Sequence, residues 1–244
     1  MTIPTTMRAM VTMGHGGIDQ MVWHENWPTP EPMANEVLVK VKACGLNNTD
    51  VNTRSGWYSK AVSEATTGDA YETVSEDDPT WGAAPITFPR IQGADVCGEI
   101  VAVGDAVDSA RIGERIITDN WLRDPNDPTN INKTGYFGSE CDGGFAEYTT
   151  MPAVNAIPFH SHFTDAEMAT FSCSYSTAEG MLTRANVTDA DTVLVPGASG
   201  GVGGALVQLA KRRGARVIAL ASEAKHADVA ALGPDVILPR GPVD

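Results

Sequence analysis

The chain lacks any apolar run long enough to cross a membrane as a helix. Its most apolar stretch, from Val193 to Ala210, is broken by Pro196 and five glycines. It also lacks the basic-then-apolar N-terminus of a secretory signal, so a cytoplasmic protein with no membrane partner is expected. Basic residues are few: 17 Lys+Arg face 31 Asp+Glu, for a formal charge of -14. A surface of that sign repels nucleic acid and anionic lipid, which excludes both as natural partners. The cysteines Cys44, Cys97, Cys141 and Cys173 form no C-x-x-C pair, and their spacing supports neither a zinc ribbon nor a disulfide framework. Free thiols are the expectation. There is no internal repeat and no low-complexity tract.

What is present is ordinary for a soluble globular protein, 42% hydrophobic and 20% charged residues over 244 positions. Up to about residue 159 the pattern is one of short β segments between turn signals. Residues 37–43 alternate, with Val37, Val39, Val41 and Ala43 on one face and lysines on the other. Residues 95–104, 114–119 and 144–151 read as further strands, so an antiparallel barrel or sandwich is expected. Two polar stretches, 59–85 and 122–133, read as loops.

Near His160 the texture changes. Thr164 and Glu167 form a capping box, and Ser176 and Glu179 repeat the signature. Then comes strand–helix–strand–helix–strand at 192–195, 202–213, 216–221, 223–232 and 235–238. The first two strands are apolar runs, as expected of parallel strands covered on both faces. This is one βαβαβ mononucleotide-binding half, and the domain boundary is expected between residues 1–160 and 161–244.

Between the first strand and helix stands Gly197-Ala198-Ser199-Gly200-Gly201-Val202-Gly203. Gly200 would let the backbone approach a pyrophosphate, and Gly203 would let the helix pack tightly on the strand. The helix N-terminus then offers free amides to phosphate. A lone G-x-G-x-x-G is weak, and Ala198 holds its first glycine position; the strand before and the helix after supply the context. The residue that reads the adenosine ribose lies at the end of the second strand, where an NAD site carries Asp or Glu. Here it is Ala221. With no carboxylate to repel a 2′-phosphate, and with Ser222 and Lys225 following, NADP (NADPH) is the expected cofactor. Lys225 also reads as a solvated helix residue.

These residues resemble the medium-chain dehydrogenase/reductase superfamily, in its zinc-independent quinone oxidoreductase-like branch. The resemblance is carried by Gly45-Leu46-Asn47-Asn48-Thr49-Asp50, Arg54-Ser55-Gly56-Trp57-Tyr58, Gly93-Ala94-Asp95-Val96-Cys97-Gly98, Asp142-Gly143-Gly144-Phe145-Ala146-Glu147-Tyr148 and the glycine turn. It implies a GroES-like antiparallel β-barrel domain, then the first half of a Rossmann doubly wound parallel sheet. Zinc alcohol dehydrogenases of that superfamily place Cys and His where Asn47 and Ala94 stand. Cys173 matches a third ligand position, but one ligand cannot hold a catalytic zinc, so no metal is expected. His160 and His162 lack a third partner and read as solvent-facing.

Hydride delivery to an electron-poor quinone or α,β-unsaturated carbonyl needs positioning and an oxyanion donor rather than a Lewis acid. By resemblance, Tyr58 and Asn47 are the candidate catalytic residues, and Thr177 lines the cofactor. Tyr58 also reads as an aromatic packed beside Trp57, Thr177 as part of a capping box, and Asp50 as fixing loop geometry. The resemblance further suggests a homodimer. A complete doubly wound sheet has six strands and only three are here, so the chain is read as C-terminally incomplete: a fragment or a truncated relative. Two rivals stay open: a zinc-type alcohol dehydrogenase, and a non-catalytic nucleotide-binding protein.

Overall fold

The computed structural model describes residues 2–58 and 85–241, so the acidic stretch read as a loop at 59–85 lies, up to residue 84, outside the described residues. The chain divides into two compact units, Met1–Ser172 and Cys173–Asp244.

The first unit is antiparallel. Strands β1 (Thr6–Thr12), β2 (Met21–Pro28) and β3 (Glu36–Gly45) are followed by helix α1 (Asn48–Arg54), then β4 (Arg90–Ile91), β5 (Asp95–Val103) and β6 (Arg115–Thr118). The short β7 (Trp121–Leu122) and β8 (Gly135–Tyr136) precede β9 (Tyr148–Pro152), β10 (Ala156–Pro158) and helix α2 (Asp165–Met168). One sheet has the order β2-β1-β4, a second β10-β6-β5-β3-β9, and β7-β8 form a separate ribbon. The two larger sheets join through the segment before β9. Phe145 C=O accepts the Met10 N–H at 2.8 Å, while Glu147 donates to Arg8 C=O at 3.1 Å and accepts from Val41 at 2.9 Å.

Strand β3 is the spine of this unit, and its alternation serves two cores. Val37 and Val39 pack with Val96, Ile100, Ile116, Phe137 and Met151. Leu38, on the opposite face, is buried with Met7, Ala9, Val11 and Tyr148. The apolar/polar alternation marks one core where the structure has two.

The unit extends past residue 160 because Arg115 ties down the chain that follows. Its guanidinium donates to Asp165 Oδ1 at 2.7 Å, Phe163 C=O at 2.7 Å and Ser161 C=O at 3.1 Å. Met168 and Ala169 then bury against Cys97. The capping box at Thr164 forms as read: Glu167 N–H donates to Thr164 Oγ1 at 3.2 Å, and Glu167 Oε2 accepts from Thr164 N at 2.8 Å.

Helix α3 (Ser172–Arg184) leads into the second unit, where β11 (Thr192–Pro196), α4 (Gly201–Arg212), β12 (Arg216–Ala221), α5 (His226–Ala230) and β13 (Val236–Pro239) follow. The three strands are parallel in the order β11-β12-β13. This is the first half of a Rossmann sheet. The signature at Ser176–Glu179 does not start a helix: α3 already runs from Ser172, and Ser176 Oγ donates back to Cys173 C=O at 3.4 Å, as an in-helix serine does. Coverage on both faces also fails for β11. Val195 is buried against Val207 of α4, but Leu194, on the opposite face of the sheet, is 58% exposed.

Phe137 is fully buried in the core around β3. Phe137→Ala is expected to cost about 3–5 kcal/mol through lost burial and the cavity left behind, measured by urea unfolding.

Candidate functional site

In the first unit the candidate residues stand on α1 and its flanks. Asn47 is the extended N-cap of α1, and Asp50, three positions on, accepts the Asn47 N–H on Oδ2 at 2.9 Å. Asp50 Oδ1 accepts the Gly93 N–H at 3.2 Å, and its backbone carbonyl accepts Gln92 Nε2 at 2.9 Å. Gln92 Oε1 in turn accepts Thr12 Oγ1 at 2.9 Å, so β1, the start of α1 and the turn before β5 share one buried polar chain. Asp50 therefore does fix the loop. Its burial, and secondarily the charge of Asp95, push its pKa up to about 6 against the bonds from Asn47 and Gly93 and the charge of Arg54.

The turn at residue 93 must be glycine for two reasons. Its φ is +99°, and a Cβ would stand 2.6 Å from the Phe145 ring and 2.8 Å from Cys44 Sγ.

Asn47 Nδ2 donates to Asp95 Oδ2 at 3.0 Å. Asp95 is 1% exposed, and its other oxygen accepts Asn120 Nδ2 at 2.7 Å, which also lies 3.2 Å from Tyr136 Oη. A carboxamide carries two N–H donors, so one such bond leaves Asn47 a second. Asp95, Asn120 and Tyr136 were not singled out from the sequence as site residues. Asp95 lay in plain view inside Gly93-Ala94-Asp95, but Asn120 and Tyr136 reach it only through strand pairing.

Tyr58 follows the C-terminal end of α1 and turns back onto that helix. Tyr58 Oη accepts Asn52 Nδ2 at 3.4 Å, and its ring meets Trp57 edge-on at 5.3 Å. Asn52, 8% exposed, is a further residue that the sequence reading did not name.

Two of the three positions matching zinc ligands do not fit the metal. Ala94 is buried and carries no donor atom, and Asn47 is engaged with the Asp95 carboxylate. His160 and His162 are both exposed. Among the described residues no three His, Cys, Asp or Glu side chains converge as a metal site.

In the second unit the glycine turn joins β11 to α4. Gly197 has φ +78°, and Gly200 is the extended N-cap of α4. A Cβ at Gly203 would collide with the Gly197 carbonyl and lie 2.9 Å from Ala198 Cα, so the helix can pass this close only with glycine there. A Cβ at Gly200 would meet just the Gly197 oxygen, at 3.5 Å, leaving that side of the backbone open. The first helical bond is Gly204 N–H to Gly200 C=O at 2.7 Å, so the amides of Gly201, Val202 and Gly203 precede it and form the anion-facing end of the helix. Ser199 is exposed on the turn. Ala198 is 0% exposed and belongs to the core with Val195, Val207 and Val217, so its side chain packs inward and only its backbone can meet a ligand. Thr177 lies in the middle of α3, half-buried.

At the end of β12, Ser222 and Lys225 are exposed, and Lys225 Nζ lies 3.2 Å from Asp228 Oδ2. The helix read over 223–232 begins as a tight turn, Glu223–Lys225, with α5 proper starting at His226, whose Nε2 donates to Ala221 C=O at 3.1 Å.

Two expectations follow from this geometry. Asp50 in the unfolded chain titrates near its ordinary value of about 3.9. Because the folded value is raised, its contribution to stability is fully present below about pH 4 and is lost as pH rises through about 6. Urea unfolding of wild type should thus lose about 2–3 kcal/mol more than Asp50→Asn between pH 4 and pH 7. Gly203→Ala should destabilise the second unit by about 1–3 kcal/mol through the carbonyl clash, read by the same method.

Comparison with known proteins gives these features a family. Residues 33–161 match the alcohol dehydrogenase GroES-like domain. The NADPH-dependent alkenal/one oxidoreductase, chloroplastic, of Arabidopsis thaliana is 28% identical over 239 residues, covering 97% of this chain and 53% of that protein. The acryloyl-coenzyme A reductase of Metallosphaera sedula is 27% identical over 231 residues, covering 91% of this chain and 61% of that protein. A solved structure from Sinorhizobium meliloti 1021, named provisionally as an alcohol dehydrogenase, superimposes with a TM-score of 0.86 at 44% identity, over 99% of this chain and 64% of that one. The chain thus spans between 53% and 64% of the lengths of these relatives. It belongs to the alcohol dehydrogenase GroES-like family, within the medium-chain dehydrogenase/reductase superfamily.

Proposed function

We propose that this chain carries the substrate-side domain and the adenosine half of the cofactor site of an NADPH-dependent oxidoreductase that reduces a quinone or an α,β-unsaturated carbonyl without zinc. The observation that carries this reading is the Asn47–Asp95 bond beside the buried Ala94 methyl group. Where a Lewis acid would polarise an alcohol, this site offers an amide donor held in place by a carboxylate. Such a donor suits an acceptor that is already electron-poor, whose oxygen gains charge as hydride arrives at carbon. The names of the two curated relatives, an alkenal/one oxidoreductase and an acryloyl-coenzyme A reductase, describe acceptors of that kind.

In this reading the free Asn47 N–H bonds the substrate oxygen, and Asp95 and Asn120 hold the amide in its orientation. NADPH, when bound, supplies the hydride. Tyr58 meets the nicotinamide or the body of the substrate, with Asn52 steadying its hydroxyl. The turn from Ala198 through Gly203 takes the pyrophosphate, Ser222 and Lys225 face the adenosine ribose, and Thr177 lines the cofactor. The small-molecule acceptor is the only partner this mechanism needs.

The test is NADPH oxidation with 1,4-benzoquinone, crotonaldehyde and methyl vinyl ketone as acceptors, with and without a zinc chelator. Turnover that the chelator leaves unchanged is expected. Asn47→Ser keeps an N-cap side chain but removes the amide donor, and should lower kcat/KM by about 10²-fold. Activity abolished by chelation and restored by zinc would sink the zinc-free mechanism. Cofactor binding with no turnover on any acceptor would leave a nucleotide-binding protein in its place.

A further inference from the structure

The residues around Asn47 close a ring. Asn47 N–H donates to Asp50 Oδ2 at 2.9 Å, and Gly93 N–H donates to Asp50 Oδ1 at 3.2 Å. From Gly93 the chain runs through Ala94 to Asp95, whose Oδ2 accepts the Asn47 side-chain amide at 3.0 Å. The backbone of Asn47 is thus held by one carboxylate and its side chain by another, with the Gly93–Asp95 backbone as the strut between them. Loss of either bond to Asp50 opens the ring, and Asn47 is then no longer fixed against the backbone that carries Asp95. The bond from Gln92 Nε2 to the Asp50 carbonyl, at 2.9 Å, does not involve the carboxylate, so the ring can open without detaching α1.

The ring depends on a charge that its surroundings do little to support. An ionised carboxylate accepts on both oxygens, whereas a protonated one carries a hydrogen on one of them and accepts well on the other. The charged and titratable groups facing Asp50 are Asp95 from β5, Arg54 at the far end of its own helix, and the Cys44 thiol from β3, which burial keeps protonated. From β1 and the turn before β5 come the neutral Thr12 and Gln92. His15, in the loop after β1, has its Nδ1 3.2 Å from the Arg54 carbonyl, at the opposite end of α1. Burial, and after it the Asp95 charge, raise the Asp50 pKa to about 6, so this carboxylate takes up a proton within reach of neutral pH.

We propose that Asp50 is the positioning residue for the Asn47 amide: its ionised carboxylate keeps the ring closed and the donor aligned, and protonation opens the ring and lets the donor turn away. The consequence for turnover rests on the reading of Asn47 as the donor to the acceptor oxygen. Asp50 itself touches neither substrate nor cofactor in this assignment. A donor to a developing oxyanion is effective when it is aligned before the charge appears, so misalignment alone slows the reaction. The fold is more stable with the proton bound, and above about pH 6 alignment is therefore gained against stability.

Amide hydrogen exchange across pH tests the ring in the 244-residue chain without need of turnover. Protection factors discount the intrinsic pH dependence of exchange, so a change in them reports local opening. In wild type those of the Asn47 and Gly93 amides should fall together by about 10-fold between pH 7 and pH 5, while those within β5 stay constant. Asp50→Asn, which like the protonated acid has one acceptor oxygen, should hold both amides at the low-pH level throughout. Wild-type kcat/KM for crotonaldehyde should fall about 10-fold over the same range with the KM for NADPH unchanged, and in Asp50→Asn it should be flat and about 10-fold low. Wild-type protection factors that do not change with pH overturn the proposal, whether or not Asp50→Asn folds. Protection that falls while kcat/KM stays level also overturns it, since the ring would then open without moving the donor. Protection that falls in a chain with no turnover on any acceptor supports the ring and removes the reductase reading instead.

Discussion

Two buried carboxylates hold the candidate site together. A carboxylate removed from water must be hydrogen-bonded on both oxygens or it destabilises the fold by several kcal/mol. Asp50 meets that demand by accepting from Asn47 and Gly93, and Asp95 by accepting from Asn47 and Asn120. Each requirement drags a separate piece of backbone to the same point. The start of α1, the turn before β5 and the approach to β7 are fixed relative to one another because these oxygens need partners. Asn47 sits where both demands meet, which is why its amide is held rather than free to turn.

The second unit solves a different problem, that of bringing a helix end and a strand end close enough to share a ligand. Gly203 permits the close approach, and Ala198 fills the core beneath the turn. The fingerprint position where Ala198 replaces glycine is thus a packing position in this chain, and the substitution costs the turn nothing because the side chain points into the cluster around Val195 and Val207. The backbone amides of α4 face outward from a surface whose inner side is an ordinary apolar core.

Much of this arrangement is local in origin and could be read in advance. The alternation at Val37–Val41, the capping box at Thr164 and the glycines at 197–203 each encode their structure within a few residues. The failures were long-range. Leu38 shares the face that carries Lys40 and Lys42 and is nonetheless a core residue, because it packs with Met7, Ala9 and Val11 of β1. Ser176 carried a capping signature inside a helix that had already begun. The segment after residue 160 looked like the start of the nucleotide-binding unit, yet Arg115 and Cys97 hold it in the first unit.

By itself the sequence determined the two kinds of architecture, the order of strands and helices in the parallel unit, the glycine turn and the absence of a carboxylate at Ala221. These follow from side-chain period, backbone freedom and capping chemistry, all of which act between neighbours in the chain. Only the tertiary structure decided that Asn47 is gripped by Asp95, that Tyr58 turns back onto Asn52 of α1, and that Arg240 reaches the end of β12. Those relations join residues that are not neighbours in the chain, 48 positions apart in the case of Asn47 and Asp95. They arise from strand pairing and from the need of buried polar atoms for partners, which no local pattern records.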